Sequence, residues 1–111
     1  GADISILTAE DPRTESLDDI LAEMAAGATS RGGVEGISFF RVRDRAAAIR
    51  KAIRLAQPGD MVIACGKGHE QSMCFGQQEY PWDDRVAMRA ALAEQLSATG
   101  PVMPYLPTQD E

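Results

Sequence analysis

The alternation of short apolar runs with helical patterns is the feature that most constrains the fold of this chain. Apolar runs at residues 4–8, 37–42 and 61–65 each predict a strand. The last run (MVIAC) carries no polar residue, which is typical of a parallel strand covered on both faces. Helical patterns separate the runs, so we predict an α/β fold with a mostly parallel sheet and right-handed crossovers. Three strands make only a small sheet, and we expect it to be incomplete, with an edge that upstream chain would cover.

Polar capping residues next to apolar residues at helical spacing predict the first two helices. The first begins after Ser16 and ends at Gly27, and its predicted core face carries Leu17, Ile20, Leu21 and Met24. The second begins after Asp44 with its apolar residues turned inward. Its predicted outward residues are Arg45, Arg50, Lys51 and Arg54.

A hairpin, a third helix and a tail are predicted for the second half of the chain. Residues 72–80 favour a small hairpin. Residues 81–84 (PWDD) start a helix that runs to about Leu96. We assign residues 1–99 to the globular domain and the proline-rich, acidic residues 100–111 to an extended and partly disordered tail.

The composition excludes several classes of protein. The chain has 111 residues and a formal net charge of −6. It is therefore one domain or part of one, and its acidic surface argues against nucleic-acid binding. Its apolar runs are far too short to span a membrane, and its first residues predict no signal peptide. The two cysteines, Cys65 and Cys74, are predicted to be buried, reduced thiols of a cytoplasmic protein.

Polar clusters follow the first and third predicted strands, at the edge where open α/β sheets bind ligands. The first cluster consists of Glu10, Asp11, Pro12 and Arg13. The second consists of Gly66, Lys67, Gly68, His69 and Glu70. If the two strands are parallel and close, both clusters lie on the same rim of the sheet, which predicts a site for a small ligand there.

Both clusters supply groups that suit a ligand carrying positive and negative charges. The planar guanidinium of Arg13 can bind a carboxylate, or it can simply pair with a neighbouring acid. In the second cluster the glycines permit close backbone approach, Lys67 can neutralise an anion and Glu70 can accept from an ammonium group. The alternative is a glycine turn with solvated charges. His69 is the only histidine, without a neighbouring cysteine, so we predict no metal site.

The order and spacing of several motifs resemble the Mur ligases, and most closely the branch that forms the muramoyl tripeptide. Residues 8–13 (TAEDPR) are similar to the TSDNPR stretch of that family, and residues 44–49 (DRAAAI) to its DR..AI helix. Residues 59–70 match its GD…GKGHE segment, and residues 82–85 (WDDR) its FDDR, with tryptophan for phenylalanine. The resemblance extends from residue 4 to about residue 97.

That resemblance implies the C-terminal, Rossmann-like domain of a cytoplasmic ligase of peptidoglycan synthesis. Such enzymes use ATP and Mg²⁺ to activate the carboxylate of a UDP-linked muramoyl peptide as an acyl phosphate. The amine of an incoming diamino acid then attacks, and phosphate leaves. The family's phosphate-binding loop and magnesium ligands lie upstream. We therefore expect this fragment to bind neither cofactor by itself, to hold no catalytic residue and to be inactive without the upstream domains.

Carried over residue by residue, the resemblance assigns the diamino acid to Asp11, Arg13, Gly66 and Glu70. Arg13 would recognise a carboxylate, while Gly66 and Glu70 match positions near the distal end of the diamino acid. Asp11 stands where the family usually has asparagine, and an ionised carboxylate attracts an ammonium group instead of donating to a carboxylate. The acceptor is therefore open between meso-diaminopimelate, L-lysine and L-ornithine. Supporting positions are Glu10, Pro12, Lys67, Gly68 and His69.

Two other interpretations stay open at this point. Another Mur-type ligase, with a different peptide or a folate-like acceptor, would share the fold and the nucleotide chemistry. A stand-alone α/β module would bind an anionic metabolite without catalysis. A phosphate-binding domain upstream in the same reading frame would favour a ligase over the module.

Overall fold

The computed structural model describes residues 3–66 and 71–110, which form three α-helices, two two-stranded sheets and one 3-10 helix. The parallel sheet pairs β1 with β2, and the antiparallel hairpin pairs β3 with β4. None of the described helices is long and apolar enough to cross a membrane. In chain order the elements are β1 (Ser5–Leu7), α1 (Leu17–Ser30), β2 (Phe39–Arg41), α2 (Arg45–Leu55), β3 (Ser72–Phe75), β4 (Gln78–Pro81), α3 (Asp84–Leu96) and the 3-10 helix Pro107–Asp110.

The first two α-helices begin directly after their predicted capping residues, and α3 begins within the predicted segment 81–84. The N-cap residues are Ser16, Asp44 and Asp83. Each side chain accepts a backbone N–H of the first turn, which satisfies a donor that the helix itself leaves unpaired. α1 continues to Ser30, beyond its predicted end at Gly27, because the glycine that reverses the chain is Gly32, with φ of 92°.

Residues 61–65, for which the sequence predicts a buried strand, pair with no described strand. Met61 and Ile63 are 82% and 69% exposed, whereas Val62 and Ala64 are half-buried. The prediction is wrong because an apolar run records only a preference for burial, and a strand also needs a neighbour. Here β1 pairs with β2 and β3 with β4, so a single mostly parallel sheet does not form among the described residues.

The core combines many alanines with a few large side chains. α1 packs against β1 and β2, while α2 packs against β1, α3 and the 3-10 helix. Leu17 and Leu21 on α1 are buried as predicted, but Met24 is 40% exposed. Three-residue strands cover only about 10 Å, roughly half the length of α1, so its second half has less sheet to pack on. The largest fully buried side chains are Phe39, Met73, Trp82 and Leu106.

The chain after α3 returns to the core. Leu106 is fully buried, and the Thr108 hydroxyl donates to Asp44 Oδ1 at 2.7 Å. These contacts dock the 3-10 helix against α2, where the sequence predicts an extended, partly disordered tail. The sequence does not predict this docking, because the segment is rich in proline and the docking depends on the burial of one residue, Leu106, in the core.

The two cysteines lie in different surroundings, and both are free thiols. Cys74 on β3 is buried, as predicted. Cys65 is exposed, contrary to the prediction, because it ends the unpaired run 61–65.

Candidate functional site

Backbone hydrogen bonds fasten the loop after β1 to the hairpin. The Arg13 N–H donates to the Cys74 carbonyl at 2.9 Å, and the Gly76 N–H donates to the Arg13 carbonyl at 2.6 Å. Arg13 has φ of 54°, in the left-handed region, which costs a residue with a Cβ about 1 kcal/mol or more. The hairpin therefore holds a strained backbone in place. The Arg13 side chain, 64% exposed, projects from this fixed base.

Asp11 braces the same loop through its carboxylate. Its Oδ1 accepts the Cys74 N–H at 2.6 Å, and its Oδ2 lies 3.2 Å from a guanidinium nitrogen of Arg13. An asparagine could keep the first contact with its oxygen, but its amide nitrogen would not pair with a guanidinium. Asp11 thus ties the loop to β3 and partly neutralises the arginine that it orients.

Glu10 and Gly66 bring the two predicted clusters together. A Cβ built on Gly66 would lie 2.7 Å from Glu10 Cδ, closer than any real contact, so the Glu10 side chain lies directly over the glycine. Gly66 also has φ of 100°, a conformation that favours glycine. The loop after β1 and the end of the run 61–65 therefore meet in space, although no strand ladder joins them.

The remaining predicted site residues divide into one that is buried and four that are not described. Pro12 is buried, and its carbonyl accepts the Glu15 N–H at 3.0 Å, so it shapes the turn that presents Arg13. Lys67, Gly68, His69 and Glu70 lie outside the described residues, and their part in the site stays a prediction.

The sequence prediction for Arg45 on the outer side of α2 is wrong, since this residue is only 4% exposed. Its guanidinium donates to both carboxylate oxygens of Asp84 at 2.8 and 2.7 Å, and to the carbonyls of Ala9 and Cys65 at 3.0 Å each. These acceptors replace water, which is why a charged side chain can be buried here. The sequence did contain a signal for this burial: the DR motif supplies Arg45 and the WDDR motif supplies Asp84, and each motif lies at a helix start.

The described part of the site suits a small ligand that carries both a carboxylate and an ammonium group. Arg13 offers a planar fork of donors for the carboxylate, and Glu10 offers an acceptor for the ammonium. The absence of a side chain at Gly66 leaves room for the Glu10 carboxylate to lie against the backbone there. Within residues 3–66 and 71–110, no three His, Cys, Asp or Glu side chains lie together as a metal site requires.

Comparison with known proteins identifies the family. Residues 1–68 match the family model described as "Mur ligase, glutamate ligase domain". The match covers more than half of the chain, and the chain therefore belongs to the Mur ligases, as part of their C-terminal domain.

Of three relatives that the chain resembles, two are named as tripeptide synthetases and one as a 2,6-diaminopimelate ligase. The chain is 48% identical over 92 residues to a UDP-N-acetylmuramyl-tripeptide synthetase of Roseiflexus sp. strain RS-1, covering 83% of this chain and 18% of the relative. It is 48% identical over 99 residues to a UDP-N-acetylmuramoyl-L-alanyl-D-glutamate–2,6-diaminopimelate ligase of Synechococcus elongatus, covering 87% and 18%. For a UDP-N-acetylmuramyl-tripeptide synthetase of Deinococcus radiodurans the identity is 44% over 94 residues, covering 85% and 19%. The chain thus spans about a fifth of the length of these relatives.

Proposed function

We propose that the chain is the acceptor-binding part of an ATP-dependent ligase that adds a diamino acid to UDP-N-acetylmuramoyl dipeptide in peptidoglycan synthesis. Family membership and the names of the relatives support this role. The observation that carries it is the Arg13 guanidinium. The side chain is exposed and paired with Asp11, while the Arg13 backbone is held by the hairpin. Arg13 lies on the same short loop as Glu10, which contacts Gly66.

The charges of the site favour meso-diaminopimelate as the acceptor over L-lysine or L-ornithine. Only diaminopimelate has a carboxylate at its distal end, and that carboxylate can use the fork of Arg13. Lysine or ornithine would leave the fork without a ligand group. Asp11 lies 3.2 Å from Arg13 and lowers the net positive charge, so a distal group with both charges fits better than an anion alone.

The remaining roles follow from the same chemistry. Gly66 contacts the diamino acid beside the Glu10 carboxylate, for which it leaves room. Glu70 accepts from the distal ammonium group, with Lys67, Gly68 and His69 as supporting residues. No bond-making step is assigned to this chain. ATP and Mg²⁺ are bound by the remainder of the ligase, and this chain holds the acceptor with its reacting amine free.

Replacing Arg13 in the full-length ligase tests the proposal. With Arg13→Ala, we expect the KM for meso-diaminopimelate to rise on the order of tenfold to a hundredfold, which corresponds to about 1.5–3 kcal/mol for a charged hydrogen-bond partner. The KM values for ATP and the UDP-muramoyl dipeptide should stay within about twofold. The measurement is ADP release that depends on the added amino acid. Arg89→Ala, which removes an exposed arginine on α3, is the matched control.

Three results would argue against parts of this proposal. An unchanged KM for the diamino acid in Arg13→Ala removes Arg13 from the pocket. Stimulation of ADP release by lysine or ornithine, but not by diaminopimelate, reassigns the acceptor. No stimulation by any of the three contradicts the proposed reaction and favours a Mur-type ligase with another acceptor, or a binding module.

A further inference from the structure

Arg45 joins the two segments from which the candidate site is built. Its Nη1 donates to the Ala9 carbonyl and its Nη2 to the Cys65 carbonyl, each at 3.0 Å. Ala9 is the residue directly before the Glu10 cluster, and Cys65 is the residue directly before Gly66. One rigid, planar group therefore contacts both the residue before Glu10 and the residue before Gly66.

The guanidinium is itself fixed from α3. Both Asp84 oxygens accept from Arg45, and Asp84 Oδ1 also accepts the Trp82 indole N–H at 2.7 Å. Trp82 is 2% exposed, so its ring cannot move without disturbing the core. Four hydrogen bonds in a buried place leave Arg45 little rotational freedom, and the two carbonyls share that rigidity.

No described strand ladder fixes the position of residues 61–65. Residues 61–65 pair with no described strand, and Cys65 is held through its carbonyl by an arginine side chain instead. In an ordinary parallel sheet, backbone hydrogen bonds would set the separation of neighbouring strand ends. At this position the described link between residues 9 and 65 is the guanidinium of Arg45.

We propose that Arg45 is a positioning residue for acceptor binding: it sets the separation of Glu10 and Gly66, and so the spacing of the described groups assigned to the diamino acid. This inference rests on the proposed function. A buried ion pair adds little net stability compared with apolar side chains of the same volume. Geometry is therefore what the pair supplies, and small errors in the placement of binding groups are costly.

Arg45→Lys in the full-length ligase is the test, because lysine keeps the charge but cannot reach Asp84 and both carbonyls at once. We expect the KM for meso-diaminopimelate to rise about tenfold or more, while the KM values for ATP and the UDP-muramoyl dipeptide change less than twofold. Peptide-level amide hydrogen exchange should become faster in residues 9–13 and in the peptide that contains Gly66. Arg50→Lys, on the same helix and also paired with a carboxylate of α3, should change none of these quantities.

The controls separate positioning from a general structural role. Equal effects of Arg45→Lys and Arg50→Lys, or a parallel rise of all three KM values, would overturn the proposal. If Arg45→Lys does not fold, the double variant Arg45→Met with Asp84→Asn removes the buried charges and keeps an acceptor for Trp82. It should show the same selective rise in KM.

Failure of the proposed function has a different signature. In that case the wild-type ligase itself shows no ADP release that depends on a diamino acid. Hydrogen exchange then decides the role of Arg45 alone. Faster exchange confined to the two loops in Arg45→Lys supports positioning, and unchanged exchange in both loops contradicts it.

Discussion

Arg45 and Arg50 make the same kind of contact in different surroundings. Both lie on α2, and both form a two-pronged ion pair with a carboxylate of α3. The Arg45–Asp84 hydrogen bonds measure 2.8 and 2.7 Å, and those of Arg50–Glu94 measure 2.8 and 3.0 Å. The side chains of the first pair are 5% and 16% exposed, and those of the second are 35% and 49% exposed.

Surroundings, more than contact geometry, decide how much an ion pair contributes to stability. Water screens the outer pair and solvates either partner when the other is removed. The inner pair has lost that water, so Arg45 depends on Asp84 and on two backbone carbonyls to balance its charge. The outer pair should be dispensable, whereas loss of one inner partner should be costly.

The largest expected effect is the loss of the inner carboxylate. Asp84→Asn leaves the Arg45 charge buried with neutral acceptors, and we expect the free energy of unfolding to fall by about 3 kcal/mol or more. Glu94→Gln, the matched change in the outer pair, should lower it by about 0.5 kcal/mol or less. Urea denaturation of both variants measures the difference, and equal losses would break the comparison.

Loss of the Trp82 indole N–H, the third group at the Arg45–Asp84 pair, should lower the free energy of unfolding by a smaller amount. Trp82→Phe keeps an aromatic ring in the core but removes the indole N–H that donates to Asp84 Oδ1. We expect the free energy of unfolding to fall by about 1–2 kcal/mol, because the lost donor bonds to a charged acceptor. The same substitution in the Asp84→Asn background should cost less, because the acceptor there is neutral. Strict additivity of the two changes would show that Trp82 acts independently of the ion pair.

The smallest expected effect is the pH dependence of the outer pair. The hydrogen bond from Arg50 holds the pKa of the Glu94 carboxyl below its usual value. Because the folded-state pKa is lowered, the stabilisation is complete above the unfolded-state pKa and is lost as the pH falls through the lowered one. The unfolding free energies of the wild type and Glu94→Gln should therefore converge in acid. A difference between the two unfolding free energies that grows as the pH falls would contradict this account of the Arg50–Glu94 pair.

Features that depend on sequence neighbours were predictable. Helix starts at Ser16, Asp44 and Asp83 follow from the preference of short polar side chains for unpaired N–H groups a few residues on. The hairpin at Ser72–Pro81 was predictable for a different local reason, the short turn at Gly76 and Gln77, and its two strands pair as expected. The family was also predictable, because the motifs keep their order along the chain.

Features that depend on distant groups were not predictable in this way. The helical pattern gives Arg45 and Arg50 the same outward assignment, and only the arrival of Asp84, Ala9 and Cys65 makes one of them a buried residue. The apolar run 61–65 strongly favours a strand, but a strand forms a hydrogen-bonded ladder only when a second strand lies beside it. Which strand lies beside which is decided by the packing of the whole domain.

By itself, then, the sequence determined where the helices and the hairpin begin and which family the chain belongs to. The ligand-binding role of the polar clusters stays a prediction. Tertiary structure alone decided that Glu10 meets Gly66, that the hairpin locks the backbone of Arg13 and that Arg45 is buried between two loops. Caps and turns depend on contacts a few residues apart, which the order of residues specifies directly. Burial and the meeting of loops depend on which distant groups replace water around a side chain, and only the folded chain brings those groups together.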